Sequence, residues 1–175
     1  MMKIIKFKIQ GPFKVIQKKH LDKRGSFIEA YNKRNFKIIK ANFVQDNLVF
    51  SKNKYIFRGF HYQKKFPQGK LINVIQGSIL DFAVDIRKKS KTYGQFIEVK
   101  LNKPNEFFWI PRGFAHGYLT LKKNTIVKYK VDNYWFKSDD CCINFINQIP
   151  KLKKIKQKIL MSSKDLEAPE FNIND

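Results

Sequence analysis

This 175-residue chain has little arginine, only two cysteines and few acidic residues for its basic ones. Its two cysteines, Cys141 and Cys142, are adjacent, so they cannot tie distant parts of the chain together, and no ligand cluster surrounds them in sequence. That usage fits a reducing cytoplasm rather than a disulfide framework. No apolar run reaches the roughly 18 to 20 residues that a membrane span needs. The opening stretch MMKIIKFKIQGPFK is charged throughout, unlike the apolar centre of a secretory signal. Proline, glycine and serine nowhere gather into a linker, and no internal repeat appears. The length therefore predicts one domain, residues 1–175, around a single substantial core. Acids number 14 against 36 basic residues, a formal charge of +22, which is the usual electrostatic footprint of a nucleic-acid binder. Only five of those cations are arginine, the residue that clamps phosphate bidentately and reads base edges. Lysine, isoleucine and asparagine together make up 66 residues, the composition that AT-rich coding favours. The charge reads as solvated lysine, and no specific nucleic-acid partner is expected.

What the chain has in quantity is aromatic and β-branched residues, including 17 Phe and 7 Tyr in an apolar fraction of 43%. That excludes a disordered polycation, which lacks residues to bury. Segments 43–51, 55–63, 70–75, 78–87, 96–101, 106–110, 117–121 and 125–134 read as short strands. Several alternate, as Ile126, Lys128 and Lys130 do against Val127, Tyr129 and Val131. Turn residues separate them, among them Pro67-Gln68-Gly69, Gln76-Gly77 and Lys103-Pro104-Asn105. Short strands at regular spacing without intervening amphipathic helices predict an all-β sandwich or barrel. Helix is expected only as a turn or two over 34–40 and as a short segment after Ser162, where Ser162 and Asp165 resemble a capping box. Residues 1–20 read as an N-terminal arm and 151–175 as a basic, partly helical tail. The lysine run 151–158 is taken as a solvated face.

Four clusters put ionisable residues into otherwise apolar strands, where burial costs several kcal/mol unless they are paired or used. They are DKRGSFIE (22–29); QDNLVFS (45–51) with RGFHYQ (58–63) and QGKL (68–71); IPRGFAHGY (110–118); and KYKVDNYW (128–135), with Lys164 and Asp165 further on. Their order, DxRGxFxE, QDNxxxS, RGxHxQ, QxKL, DxxxDxRxxSxTYG, IPxGFAHG and YKxxNY, resembles the dTDP-4-dehydrorhamnose 3,5-epimerase family. The likeness runs from about Asp22 to Tyr134 and resumes at SSKD (162–165). It implies a cupin-type jelly roll, a homodimer, and conversion of dTDP-4-keto-6-deoxyglucose to dTDP-4-keto-rhamnose without metal or other cofactor.

The chemistry of that reaction matches the residues. Epimerising a carbon beside a ketone needs a base, an electrophile for the enolate oxygen, and an acid on the opposite face. His61 is the natural base, because an imidazole titrates near neutrality. Lys70 supplies positive charge for the enolate, and Tyr129 is a phenolic acid whose flanking lysines point the other way. The resemblance makes Asp165 the carboxylate that orients His61. Arg58 is one of the few arginines able to meet a diphosphate bidentately. The resemblance also assigns Arg24, Glu29, Gln45, Asp46, Asn47, Asp139 and Lys164 to contacts with nucleotide or sugar. Tyr134 or Trp135 is the candidate for stacking on the thymine.

Plainer readings stand beside these. A lone strand histidine is usually a hydrogen-bonded structural residue, and an inward tyrosine is usually core. The run PRGFAH also fits the second metal motif of metal-binding cupins, with His116 as ligand. The first motif of those cupins needs a second histidine where Gln63 stands. His116 is therefore expected to line the pocket as a hydrogen-bonder, with no metal ligand set. The other readings to be separated are a single-carbon epimerase or ketoisomerase on another nucleotide-sugar, a metal-dependent cupin, and a basic nucleic-acid module.

Overall fold

Two-residue alternation decides which side chains meet. The computed structural model describes residues 2–173. Its strands are β1 (Lys3–Lys6), β2 (Phe13–Ile16), β3 (Lys19–Asp22), β4 (Gly25–Ile28), β5 (Gln45–Ser51), β6 (Phe57–Gln63) and β7 (Lys70–Gln76). They continue with β8 (Ile79–Asp85), β9 (Phe96–Leu101), β10 (Glu106–Ile110), β11 (Phe114–Thr120), β12 (Thr125–Val131) and β13 (Asp140–Cys142). Two short helices follow, α1 (Pro150–Ile155) and α2 (Ser163–Leu166). A six-stranded sheet runs β1-β2-β10-β7-β12-β5 and a five-stranded sheet β13-β6-β11-β8-β9, while β3 and β4 form a separate hairpin. All strand pairs within these sheets are antiparallel. The two large sheets pack face to face as a jelly roll.

Between them, Ile72, Val74, Phe108 and Val127 meet Ile79, Ala83, Leu101 and Phe114. The outer face of the five-stranded sheet offers Phe60, Phe82, Ala115 and Leu119, which the C-terminal stretch covers with Phe145, Ile149 and Leu152. Each such side chain contributes roughly 1.5–3 kcal/mol when fully buried, enough to hold that stretch down. A third cluster, Val15, Leu71, Phe107 and Trp109, lies on the outer face of the six-stranded sheet beneath Phe36 and Ile39.

The C-terminal stretch is also stitched to β6. Leu160 forms a parallel bridge with Ile56, its N–H donating to Tyr55 O and its carbonyl accepting from Phe57 N, both at 2.9 Å. Ser162 then caps α2, its Oγ accepting from the Asp165 N–H at 3.2 Å, as the capping-box reading expects.

Three local expectations change. The stretch read as an N-terminal arm carries two sheet strands, because β1 and β2 extend the six-stranded sheet from β10. Residues 34–40 make a turn rather than a helix, with the Phe36 N–H donating to Asn32 O at 3.0 Å and the Phe36 ring buried. β11 begins at Phe114, not at 117, since Phe114 and His116 already pair with Asp85 and Ala83. The lysine run 151–158 presents its charges outward, with Leu152 buried beneath. No helix among the described residues is long and apolar enough to cross a membrane.

Candidate active site

A bulge in β6 builds the first wall of the site. Arg58 stands opposite Tyr118 and His61 opposite His116, so Gly59 and Phe60 together face Gly117 alone. In a regular strand, residues three apart point to opposite faces. The extra residue brings Arg58 and His61 to the same one. Gly59 has φ +118°, and a Cβ there would lie 2.6 Å from Gly117 Cα, so only glycine fits.

The wall faces a cavity of about 280 Å³ between the sheets. The five-stranded sheet lines it with Arg58, His61, His116 and Tyr118, and the six-stranded sheet with Val49, Lys70 and Tyr129. The C-terminal stretch closes it with Asp140, Ser162, Lys164 and Asp165. His61 Nε2 lies 2.6 Å from Asp165 Oδ1. Burial pushes the Asp165 carboxyl up, but the His61 hydrogen bond and charge, with the Ser162 hydroxyl and the Gly59 N–H, outweigh it and hold the group below the usual carboxylate range. Asp165 is therefore an anion, and the His61 tautomer that suits it donates from Nε2 and leaves the Nδ1 lone pair free.

Across the cavity, burial drives the Lys70 ammonium down to about 8, against the pull of Asp140 and Asp81. Its Nζ reaches the His61 carbonyl oxygen at 3.4 Å. Burial raises Tyr129, Arg58 partly offsets this and Asp140 adds to it, so the phenol stays protonated. Lys164 Nζ pairs with Asp140 Oδ2 at 2.5 Å at the rim. His116, on the other hand, is sealed in the wall with Nε2 2.7 Å from Asp81 Oδ1, and burial lowers its affinity for a second proton despite that carboxylate.

The structure thus brings His61, Lys70, Tyr129, Asp165, Arg58, His116 and Lys164 to one cavity. Gln45 and Asn47 line an adjoining depression with Gln68, Trp135 and the other side of Tyr129. Tyr134 is exposed in the loop after β12 and offers its backbone carbonyl to Gln63, leaving Trp135 as the aromatic at that border.

Four sequence-derived site residues lie elsewhere in this chain. Asp46 alternates to the outer face of β5 and pairs with Lys128 and Lys130 at 3.1 and 2.7 Å. Asp139 is consumed by the 64–66 loop, accepting from the Lys65 and Phe66 N–H groups, while its neighbour Asp140 faces the cavity. Arg24 sits at the tip of the β3–β4 hairpin, ion-paired to Asp22 at 2.7 Å. Glu29 follows that hairpin and accepts from Asn32 and Asn35.

Other residues at the cavity were quoted in the sequence motifs but given no role there. Tyr118 lines the cavity with a buried hydroxyl, whose side-chain neighbour is the Ser51 hydroxyl, and Asp81 anchors His116. Strand parity signals both: Tyr118 is two residues beyond His116, and Asp81, opposite Tyr118, is two before Ala83, the cross-strand partner of His116. Cys142 is not an isolated thiol either. It lies 3.7 Å from Asp165 Oδ1, and burial with that carboxylate pushes the thiol up to about 12. Gln63, which stands in the slot for a second cupin histidine, is spent on the backbone of Phe66, Tyr134 and Phe136.

A family model described as dTDP-4-dehydrorhamnose 3,5-epimerase matches residues 6–172. The curated epimerase of that name from Salmonella typhimurium is 39% identical over 97% of this chain and 95% of its own length. The one from Methanothermobacter thermautotrophicus is 44% identical over 73% of this chain and 70% of its own. Among solved structures, a dTDP-6-deoxy-D-glucose-3,5-epimerase from Legionella pneumophila, in complex with dTDP-4-keto-L-rhamnose, superposes with a TM-score of 0.90. It has 34% identity and covers 99% of this chain and 94% of that one. A Bacillus anthracis dTDP-4-dehydrorhamnose 3,5-epimerase with TDP and pyrophosphate bound gives 0.88 at 35% identity, over 98% of this chain and 100% of that one.

Proposed function

The chain belongs to the dTDP-4-dehydrorhamnose 3,5-epimerase family, and on that premise we propose how its cavity works. It takes dTDP-4-keto-6-deoxyglucose and inverts C3 and C5, each beside the C4 ketone, giving dTDP-4-keto-rhamnose. The observation that carries this reading is the division of labour between the sheets. The His61–Asp165 pair stands on the β6 side, while Tyr129 and Lys70 stand on the β12–β7 side of the same cavity. Inversion requires a proton to leave one face of a planar enolate and another to arrive on the opposite face.

His61 removes the proton through Nδ1, and Asp165 holds the ring and stabilises the imidazolium. Lys70 offers its buried charge to the enolate oxygen, where exclusion of water strengthens the attraction. Tyr129 then delivers its phenolic proton from the other side. The cycle closes when the imidazolium releases its proton to solvent and the tyrosinate regains one. His116, fixed by Asp81, and Lys164 border the sugar. Arg58 meets the diphosphate, and Gln45 and Asn47, beside Trp135, hold the nucleotide end.

The working unit is a homodimer, with one catalytic domain per chain. The hairpin that carries Arg24 exposes Leu21 and Phe27 at 75% and 68%, and the edge strand β5 exposes Leu48 and Phe50. Such surfaces call for a cover. Seating the hairpin of a second copy there brings Arg24 and Glu29 to the nucleotide, which this chain's own cavity does not receive from its own hairpin. The reaction runs in the cytoplasm, where Cys141 and Cys142 stay reduced, without a specific nucleic-acid partner.

The test is exchange with solvent. Incubated with dTDP-4-keto-6-deoxyglucose in D₂O, the enzyme is expected to place deuterium at both C3 and C5, read by NMR. No incorporation at either carbon refutes the reading, and incorporation at one alone reduces it to a single-carbon epimerase. Light scattering of the purified protein decides the dimer.

A further inference from the structure

We propose that His61, Asp165 and Cys142 form a capture site for a thiophilic divalent cation, Zn²⁺ in the first place, and that occupying it switches the enzyme off. Among the described residues, these three alone bring metal-ligating atoms of His, Cys or acid side chains together, all within 4.8 Å of one another. Nε2 and Oδ1 are 2.6 Å apart, and Sγ and Oδ1 3.7 Å. Nitrogen, sulfur and oxygen donors around zinc sit at about 2.0–2.3 Å from the metal, so tetrahedral edges run to about 3.3–3.6 Å. The sulfur is already at that separation from the carboxylate. The imidazole has to withdraw from the carboxylate by under about an ångström and close on the sulfur, which lies within 4.8 Å of it, through rotation of a side chain that is 35% exposed. Three protein donors leave the fourth position open, and this nitrogen–sulfur–oxygen set suits zinc better than magnesium or calcium.

The inhibitory consequence follows from the tautomer, and it alone rests on the epimerase reading. The metal takes the Nε2 lone pair, so the ring proton moves from Nε2 to Nδ1. The Cys142 thiol loses its proton to solvent, and Asp165 exchanges its hydrogen bond for a coordinate bond. One proton leaves per ion bound. His61 then presents an N–H where it had presented a lone pair, and the base is gone without anything blocking the cavity.

Binding is read without activity by titrating the metal-free enzyme with Co²⁺. A near-ultraviolet thiolate-to-cobalt charge-transfer band is expected in the wild type and in Cys141→Ala, and is expected to vanish in Cys142→Ala and in Cys142→Ser, which keeps the volume. With Zn²⁺ at micromolar concentration, wild-type deuterium exchange is expected to fall at least about tenfold and to recover on adding EDTA. Each Cys142 variant, referred to its own metal-free rate, is expected to lose that sensitivity. A missing cobalt band in the wild type, a band that persists in Cys142→Ala, or equal zinc inhibition of wild type and variant would each overturn the proposal. An enzyme with no epimerase activity at all still reports on the site through the cobalt band.

Discussion

His61 and His116 are cross-strand partners on β6 and β11, and each is hydrogen-bonded to a carboxylate at almost the same distance, 2.6 Å to Asp165 and 2.7 Å to Asp81. The chemistry of the two pairs is alike and their surroundings are not. The His61 side chain is 35% exposed, and its carboxylate arrives from α2 across a sequence separation of 104 residues. His116 is 9% exposed, and its partner Asp81 comes from the adjacent strand β8 with no exposure at all. Burial makes a second proton on His116 costly, whereas the anionic Asp165 stands ready beside an accessible ring. On the proposed mechanism, access and a stabilised ion suit an imidazole–carboxylate pair to carry a proton, and without them it is a rivet in the wall.

The largest effect that could break this contrast belongs to the open pair. His61→Ala is expected to lower turnover and exchange at both carbons by roughly 10²–10⁴-fold, the worth of a positioned base. Exchange at wild-type rates in that variant would reverse the assignment.

Removing the carboxylates separates the pairs further. Asp165→Ala is expected to cut kcat, by up to about 10⁴-fold, through a misaligned, unsupported imidazole. Asp81→Ala leaves His116 buried without its acceptor and is expected to cost roughly 1–3 kcal/mol of stability, which in a chain of this length lowers Tm by several degrees. Thermal melts and kcat measured on both variants decide it, and a large rate loss in Asp81→Ala with an unchanged Tm would make the closed pair catalytic.

Lys70 sharpens the contrast by pH. Burial lowers its pKa to about 8, so its charge, which the proposed mechanism sets against the enolate, is present below that pH and lost above it. The pH profile of kcat/KM is expected to descend on an alkaline limb near pH 8, and Lys70→Arg, which stays charged, to lose that limb. The charged form is also the one that burial penalises, so this residue's contribution to stability improves as pH rises from about 8 towards the ordinary lysine value. The smallest effect concerns the net charge of +22. If it assists capture of a doubly charged substrate, KM rises by a few fold between low and physiological salt while kcat holds.

Much of this was legible in the sequence, and what was not has physical causes. Strands β9 and β10 fall where alternation and turn residues put them, and their neighbours in the middle of the chain differ only at their ends. Strands β1 to β4 and β13 are three or four residues long. Lys3-Ile4-Ile5-Lys6 pairs Phe13–Ile16 because β10 offers that strand an edge, which no local pattern announces. His61, Lys70 and Tyr129 were readable from chemistry and parity, whereas Asp165 came only through the family resemblance. Asp46 and Asp139 point away from this chain's cavity, the first illegibly so because a motif match ignores which way a strand residue points, the second because the segment after Tyr134 departs from the family pattern.

The parallel bridge between Ile56 and Leu160 governs how closely the proton-transfer pair is aligned. From that bridge the two segments run on in the same direction, and after equal numbers of residues they reach His61 and Asp165. Both members of the pair are thus referenced to one datum, the start of β6, and errors do not accumulate around the 104-residue circuit between them. Tyr129 and Lys70 are referenced to the other sheet. Thermal slippage of one sheet over the other would accordingly widen the gap between base and acid while leaving the gap between base and carboxylate untouched. As the protein warms towards melting, misprotonation would precede loss of proton abstraction, and exchange with solvent would outlast net inversion.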